Sequence, residues 1–366
     1  MPTTGSARNG SLDGIRALAV VGVLAYHAHY ASARGGYLGV DVFFVLSGYL
    51  ITRLLLQGPH PERPLATYGA FLLRRLVRLT PALAVALVAV VALGLTTGRE
   101  SDRTVLRRCT AAAAGYVMDL PAAERLQCNA MWHITWSLAV EQQFYLLWPW
   151  VLAGLLASAG RSAGLCLLLY AGAVLDQVVL RAHGGVTTAR LLYPPYGGGL
   201  VLLLGCALAL HLHGPRARTR PATNGRGAVG AAGVLLVLFV VGGASTHLIG
   251  LLPLVLTGLA TTALIASLVS CPPTAWPVRA FGSPWLAYLG RISYSLYLWH
   301  EVAYRLAELV APRYSPVAEL LRFSLALGFA AASYAFVELP ATAWWRRREL
   351  RRQPAALARP VSASTG

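Results

Sequence analysis

The feature that most constrains this chain is a succession of apolar stretches, each close to membrane-spanning length. Crossing about 30 Å of hydrocarbon takes about 20 residues of helix. In lipid, backbone N–H and C=O groups have to find their partners within the protein. Ten stretches fit: Leu12–Tyr30, Leu38–Leu56, Leu79–Leu95, Ser137–Ala157, Leu165–Leu180, Tyr196–Leu212, Val229–Val241, His247–Val269, Tyr288–Val310 and Val317–Val337. The expected fold is all-α, a polytopic membrane protein with about ten transmembrane helices. Residues 1–345 read as one membrane domain. Residues 346–366, Arg-rich and then rich in Pro, Ala and Ser, read as a basic, disordered cytoplasmic tail. Met1–Gly10 holds only Arg8, and the apolar run after it is interrupted by Asp13 and Arg16. The first helix is therefore expected to stay in the mature protein rather than leave as a signal peptide.

Composition decides what the charge means. The 366 residues are 56% hydrophobic and only 12% charged, against about 25% charged in an ordinary soluble domain. A net charge of +17 would suggest nucleic acid in a soluble protein. Here the arginines gather in short connections and at helix ends, so the expected partner is the bilayer and not nucleic acid. Arg53, Arg63, Arg74, Arg75 and Arg78 flank the second-to-third connection, and Arg216, Arg218, Arg220 and Arg226 the sixth-to-seventh. With Arg346–Arg348 in the tail, both termini are expected in the cytoplasm. The chain has no lysine, which excludes a Walker A phosphate loop and Schiff-base chemistry.

Five cysteines show no metal-like spacing. Cys109 and Cys128 fall together on the long loop placed outside, where disulfides persist, and are expected to be bridged. No metal is expected, because His300-Glu301-Val302-Ala303-Tyr304 is not H-E-x-x-H.

Charges inside the apolar stretches carry the functional signal, since each costs about 2.5–3.5 kcal/mol at the bilayer centre. In the first stretch, the 11-residue step from Arg16 to His27 is about 16 Å of helix and returns to the same face. A guanidinium and an imidazole then face one way at opposite depths, with Asp13 near the start. In the second stretch Asp41 and Ser47 interrupt an apolar run whose glycines allow close helix approach. Arg74, Arg75 and Arg78 sit before the third; Arg74 and Arg78 are one turn apart, a spacing that suits a phosphorylated ligand. Glu141 lies inside the fourth, sharing a face with Ser137 and Tyr145, and Trp136 just precedes it. In the ninth, Ser293, Tyr297 and His300 share a face.

Taken together these residues resemble the membrane acyltransferase-3 family, ten-helix transferases that move acyl groups onto sugars and other hydroxylated acceptors. The likeness runs from LDGIRALAVVGVLAYH to FVELP. Arg16 and His27 occupy the family's arginine–ten residues–histidine motif, and Arg74 and Arg78 its R-x-x-x-R segment. Asp41–Phe44 with Ser47-Gly48, Trp136–Leu138 with Glu141 and Phe144-Tyr145, and Ser293-Tyr294 with Leu298–His300 fit as well. The resemblance implies an integral-membrane O-acyltransferase of the bacterial cytoplasmic membrane. Its co-substrate would be acyl-CoA, acetyl-CoA being the first choice, with no permanently bound cofactor. Its acceptor would be a glycan, a glycolipid or a macrolide. His27 is expected to be the general base, Glu141 to orient it, and Arg16 and Asp41 to complete the catalytic group. Arg74, Arg75, Arg78 and Ser47 would bind coenzyme A, and Asp13, Trp136, Tyr145, Tyr297 and His300 the substrate. A macrolide or other secondary-metabolite O-acyltransferase is the alternative within enzymes, and a glycan or lipid flippase the alternative outside them.

Overall fold

A computed structural model describes residues 10–58, 64–97, 102–120, 126, 128–157, 162–183, 198–213, 225–243, 250–313 and 315–352. Helices lie on all ten predicted stretches, and no strand occurs among the described residues. The long helices are α1 (Gly10–His27), α2 (Gly39–Leu56), α3 (Pro64–Thr97), α6 (Trp136–Ala157), α7 (Ser162–Ala182), α8 (Leu202–His213), α9 (Arg226–Val241), α10 (Leu251–Ser270), α13 (Ser293–Val310) and α14 (Pro316–Ser333). Shorter helices α4 (Arg103–Ala114), α5 (Ala130–His133), α11 (Trp276–Phe281) and α12 (Pro284–Arg291) link them, and α15 (Leu339–Arg352) closes the described chain.

Five helical stretches are long and apolar enough to cross a membrane: Ala31–Leu56, Tyr68–Thr97, Ala163–Ala182, Leu251–Ser270 and Pro316–Glu349. Their outward faces are apolar. Val88, Leu168, Leu175 and Leu320 are each more than 60% exposed, a patchwork that water would not tolerate at this extent. The molecule is a multi-pass membrane protein. Helices α8 and α9, at 12 and 16 residues, are shorter than a full span.

Helix α1 sits at the centre, with Ile15, Ala17, Ala19, Val20 and Val23 fully buried. Close approach at glycine fixes its neighbours. A Cβ on Gly14 would lie 2.0 Å from the Phe281 carbonyl, and one on Gly290 would lie 1.8 Å from that of Asp13. Helices α2 and α8 meet the same way, through Gly48 against the Leu202 carbonyl and Gly205 against that of Val45. Small residues of this kind let helix backbones touch where lipid gives no hydrophobic drive.

The disordered tail expected from residue 346 is placed too early. Residues 346–352 continue α15, whose Glu349 accepts a hydrogen bond from Arg74 Nη1 at 2.6 Å. Residues 353–366 lie outside the described ones. Helix α14 passes into α15 through a π-helical turn at Tyr334–Glu338. Such turns mark local insertions, and this one buries Glu338, whose carboxylate accepts from Ser295 Oγ at 2.5 Å. Cys109 and Cys128 are joined by a disulfide.

Candidate active site

Two cavities open against α1 and α2, one toward each end of the bundle. The first is lined by arginines and a carboxylate: Arg16, Ser47, Arg75, Arg78, Ser137, Glu141, Tyr145, Arg291, Ser293, Tyr294 and Tyr297 border it. It is tight, at about 80 Å³. The second, about 360 Å³, is bordered by Tyr26, His27, His29, Tyr37, Asp41, His133, Trp136 and Tyr297. Val40 and Tyr297 border both. They form the partition between the two spaces.

The arginine-lined cavity draws side chains from five long helices and α12. Arg16 reaches it from α1 and is anchored by Asp13 Oδ1 at 3.2 Å. Asp13 itself is buried and borders neither cavity. A partly buried guanidinium gains from such a carboxylate, which offsets its desolvation. Glu141 accepts from Ser47 Oγ, and on its other oxygen from Tyr145 at 3.2 Å. Arg75 lies over the Tyr145 and Phe71 rings, with its guanidinium carbon 5.4 and 5.9 Å from their centroids. Stacked on aromatics in this way, it still directs charge into the cavity.

The structure therefore divides the expected phosphate clamp. Arg75 and Arg78 face the cavity, whereas Arg74 is 45% exposed and engaged by Glu349 outside it. Arg74 and Arg75 flank Arg78 in helical phase: Arg75 lies about 60° to one side, toward the cavity, and Arg74 about 40° to the other, toward Glu349. Arg291, at the end of α12, also borders this cavity and was not singled out from the sequence. Its signal was its position, two residues before the Ser293-Tyr294 pair at the start of an apolar stretch.

The second cavity holds His27, the last residue of α1. Its Nδ1 lies 3.1 Å from the Val23 carbonyl oxygen and 3.2 Å from His300 Nε2. His300, fully buried on α13, has its Nδ1 2.7 Å from the Tyr297 carbonyl oxygen. Carbonyl oxygens only accept, so each Nδ1 carries the hydrogen. The hydrogen bond between the rings then runs from His27 Nδ1–H to the lone pair on His300 Nε2, and His27 Nε2 is left as the basic nitrogen.

Glu141 is not the partner of His27, contrary to the sequence expectation, because both its oxygens are engaged in the other cavity. His300, expected to touch substrate, borders neither cavity and instead touches His27. Asp41, in the first turn of α2, and Trp136 do border the His27 cavity. Tyr297 holds its place in the partition through Ser137 Oγ and the Ile134 carbonyl oxygen, both at 2.8 Å.

His27, His300 and Glu301 are the described group whose imidazole and carboxylate atoms gather closely enough to hold a cation, within 4.8 Å of one another.

A multi-helix membrane protein with a polar, arginine- and histidine-bearing interior is the class these features define. A family model described as an acyltransferase domain matches residues 9–337, and the chain belongs to that family, acyltransferase-3. A protein of Staphylococcus aureus designated a candidate O-acetyltransferase is 31% identical over 346 residues, covering 90% of this chain and 56% of its own. The peptidoglycan O-acetyltransferase OatA of Listeria monocytogenes is 30% identical over 349 residues, covering 90% and 55%. YrhL of Bacillus subtilis, a candidate peptidoglycan O-acetyltransferase, is 31% identical over 351 residues, covering 90% and 54%. The chain thus spans little more than half the length of these relatives. No solved structure matches it.

Proposed function

We propose that this protein is an integral-membrane O-acyltransferase that carries an acetyl group from acetyl-CoA to a hydroxyl of a cell-envelope glycan. The observation that carries the proposal is the pair of cavities on one helix, arginine-lined at one end and imidazole-bearing at the other, meeting at Tyr297. In this reading the chain crosses the bacterial cytoplasmic membrane ten times with both termini inside. Arg16, Arg75, Arg78 and Arg291 then receive the donor phosphates from the cytoplasm, where the guanidinium fork suits them. The pantetheine arm extends past the partition. The wider cavity receives the acceptor, and its Asp41 and Trp136 supply a polar group and an aromatic face for a sugar.

The acceptor hydroxyl gives its proton to His27 Nε2 as its oxygen attacks the thioester carbonyl carbon. The C–O bond forms, the C–S bond breaks, and the departing thiolate takes the proton back from the imidazolium. No net charge is left behind. The carbonyl end of α1, at His27, favours the transient cation. A glycan acceptor is supported by the Listeria relative, which is named for peptidoglycan.

The test is acetyl transfer by His27→Ala in detergent or vesicles, beside the thermal stability of the same protein with coenzyme A. Loss of transfer with coenzyme A stabilisation intact is expected. Wild-type turnover would remove His27 from the chemistry. An acceptor panel of muropeptides and macrolides decides between the acceptor classes.

A further inference from the structure

The His27–His300 contact asks for a purpose, because a histidine fully enclosed in a membrane helix bundle is costly to place. His300 is fully buried and borders neither of the two cavities described, so it does not meet substrate there. Three neighbours constrain it: Nδ1–H is held by the Tyr297 carbonyl one turn back, its ring packs edge-on against Tyr304, and Glu301 Oε1 lies 3.6 Å from its Nε2, beyond hydrogen-bond distance. Tyr304 in turn donates to the Leu24 carbonyl of α1 at 2.9 Å. With Nδ1 committed, His300 can offer only an acceptor at Nε2, and His27 Nδ1–H lies 3.2 Å away.

Resting on the acyltransferase reading above, we propose that His300 is the positioning residue for the His27 base. It holds His27 in the tautomer with a free Nε2 and fixes the ring plane facing the acceptor cavity. A carboxylate does this in hydrolase triads; here a second neutral imidazole does it. The group in direct contact with His27 is thus an imidazole, and the Glu301 carboxylate stands one residue further off, 3.6 Å from His300 Nε2. When His27 becomes an imidazolium, the same bond strengthens, because its donor is then charged.

The experiment compares His300→Leu, which removes the acceptor, with His300→Gln, whose amide oxygen restores one, and with His27→Ala. Each protein is assayed for kcat and both KM values, and for stabilisation by coenzyme A as a measure of folding. His300→Leu is expected to lower kcat by about 10²-fold, in the range for general-base catalysis, with both KM values within about threefold. His300→Gln should recover at least tenfold of that loss.

Four outcomes would overturn the proposal. His300→Leu could keep kcat within about threefold. It could raise only the acceptor KM, which would make His300 a substrate contact. His300→Gln could be as poor as His300→Leu while both bind coenzyme A, which would leave a packing role alone. Lastly, His27→Ala could retain turnover, in which case the reading of His27 as base falls and the positioning role with it. Loss in His27→Ala beside a fully active His300→Leu would sink the positioning role only.

Discussion

The division of the arginines makes a quantitative prediction, because neighbouring residues of one helix should respond very differently to the same change. Arg78→Gln removes a guanidinium that borders the narrow cavity, as Arg291→Gln does from the opposite wall. A hydrogen bond to a charged group is worth roughly 1.5–3 kcal/mol, and each 1.36 kcal/mol is tenfold. Either substitution should therefore raise the donor KM by roughly 10- to 150-fold, with a smaller effect on kcat. Arg74→Gln removes a side chain that is 45% exposed and paired with Glu349 at 2.6 Å. Such exposed pairs contribute roughly 0–1 kcal/mol, and none of that is donor binding, so the donor KM should move less than about fivefold. Initial rates against acetyl-CoA concentration, at saturating acceptor, read all three. Equal effects at Arg74 and Arg78 would refute the assignment of one face to the ligand and the other to α15. A fall in kcat at unchanged KM for Arg78→Gln would refute the phosphate clamp itself.

Other consequences follow from the partition, the helix contacts and the loop. Tyr297→Ala should join the two cavities and admit water to the thioester, raising acetyl-CoA hydrolysis in the absence of acceptor by at least severalfold; release of free thiol measures it, and an unchanged rate would mean Tyr297 is not the barrier. Gly205→Ala would set a Cβ about 2.0 Å from the Val45 carbonyl oxygen, so α2 and α8 must separate. The cost should reach or exceed the usual 1–3 kcal/mol of overpacking, seen as a lower thermal midpoint. Gly230→Ala, with nothing within 4 Å, is the matched control. Cys109→Ser with Cys128→Ser opens a loop of sequence separation 19. The chain-entropy relation gives about 3 kcal/mol for a loop of that size, and reductant should lower the wild-type midpoint but not that of the double variant.

Much of this was legible in the sequence wherever one helix carries the whole relation. The Arg16–His27 face is a matter of periodicity along α1, and the buried Val20 and Val23 between them confirm that this face turns inward. The glycine pattern of α2 likewise reads directly as close contact, with Gly48 against α8. What spacing could not supply was which helices meet. Glu141 looked like the partner of His27 because it is a buried carboxylate, yet Ser47 and Tyr145 hold it in the other cavity. His300 was recognised as part of a polar face on its own helix, but its value comes from α13 crossing α1, a distance of 273 residues in sequence. The spacing of Arg74 and Arg78 could not show which flank of Arg78 turns inward; the packed helix turns the Arg75 flank to the cavity and the Arg74 flank to α15. The tail boundary failed for a related reason. Arginine-rich composition suggested disorder, while Trp345 is buried and Glu349 meets Arg74, so α15 is held against α3.

The central claim is that donor and acceptor meet from opposite ends of one bundle. Proteoliposomes in a single orientation, loaded on one face with labelled acetyl-CoA and supplied on the other with a soluble glycan acceptor, test it directly. Labelled acetyl should appear on acceptor presented at the His27 side when donor is confined to the arginine side, and should vanish in His27→Ala. Transfer that proceeds only when donor and acceptor share one face would contradict the account.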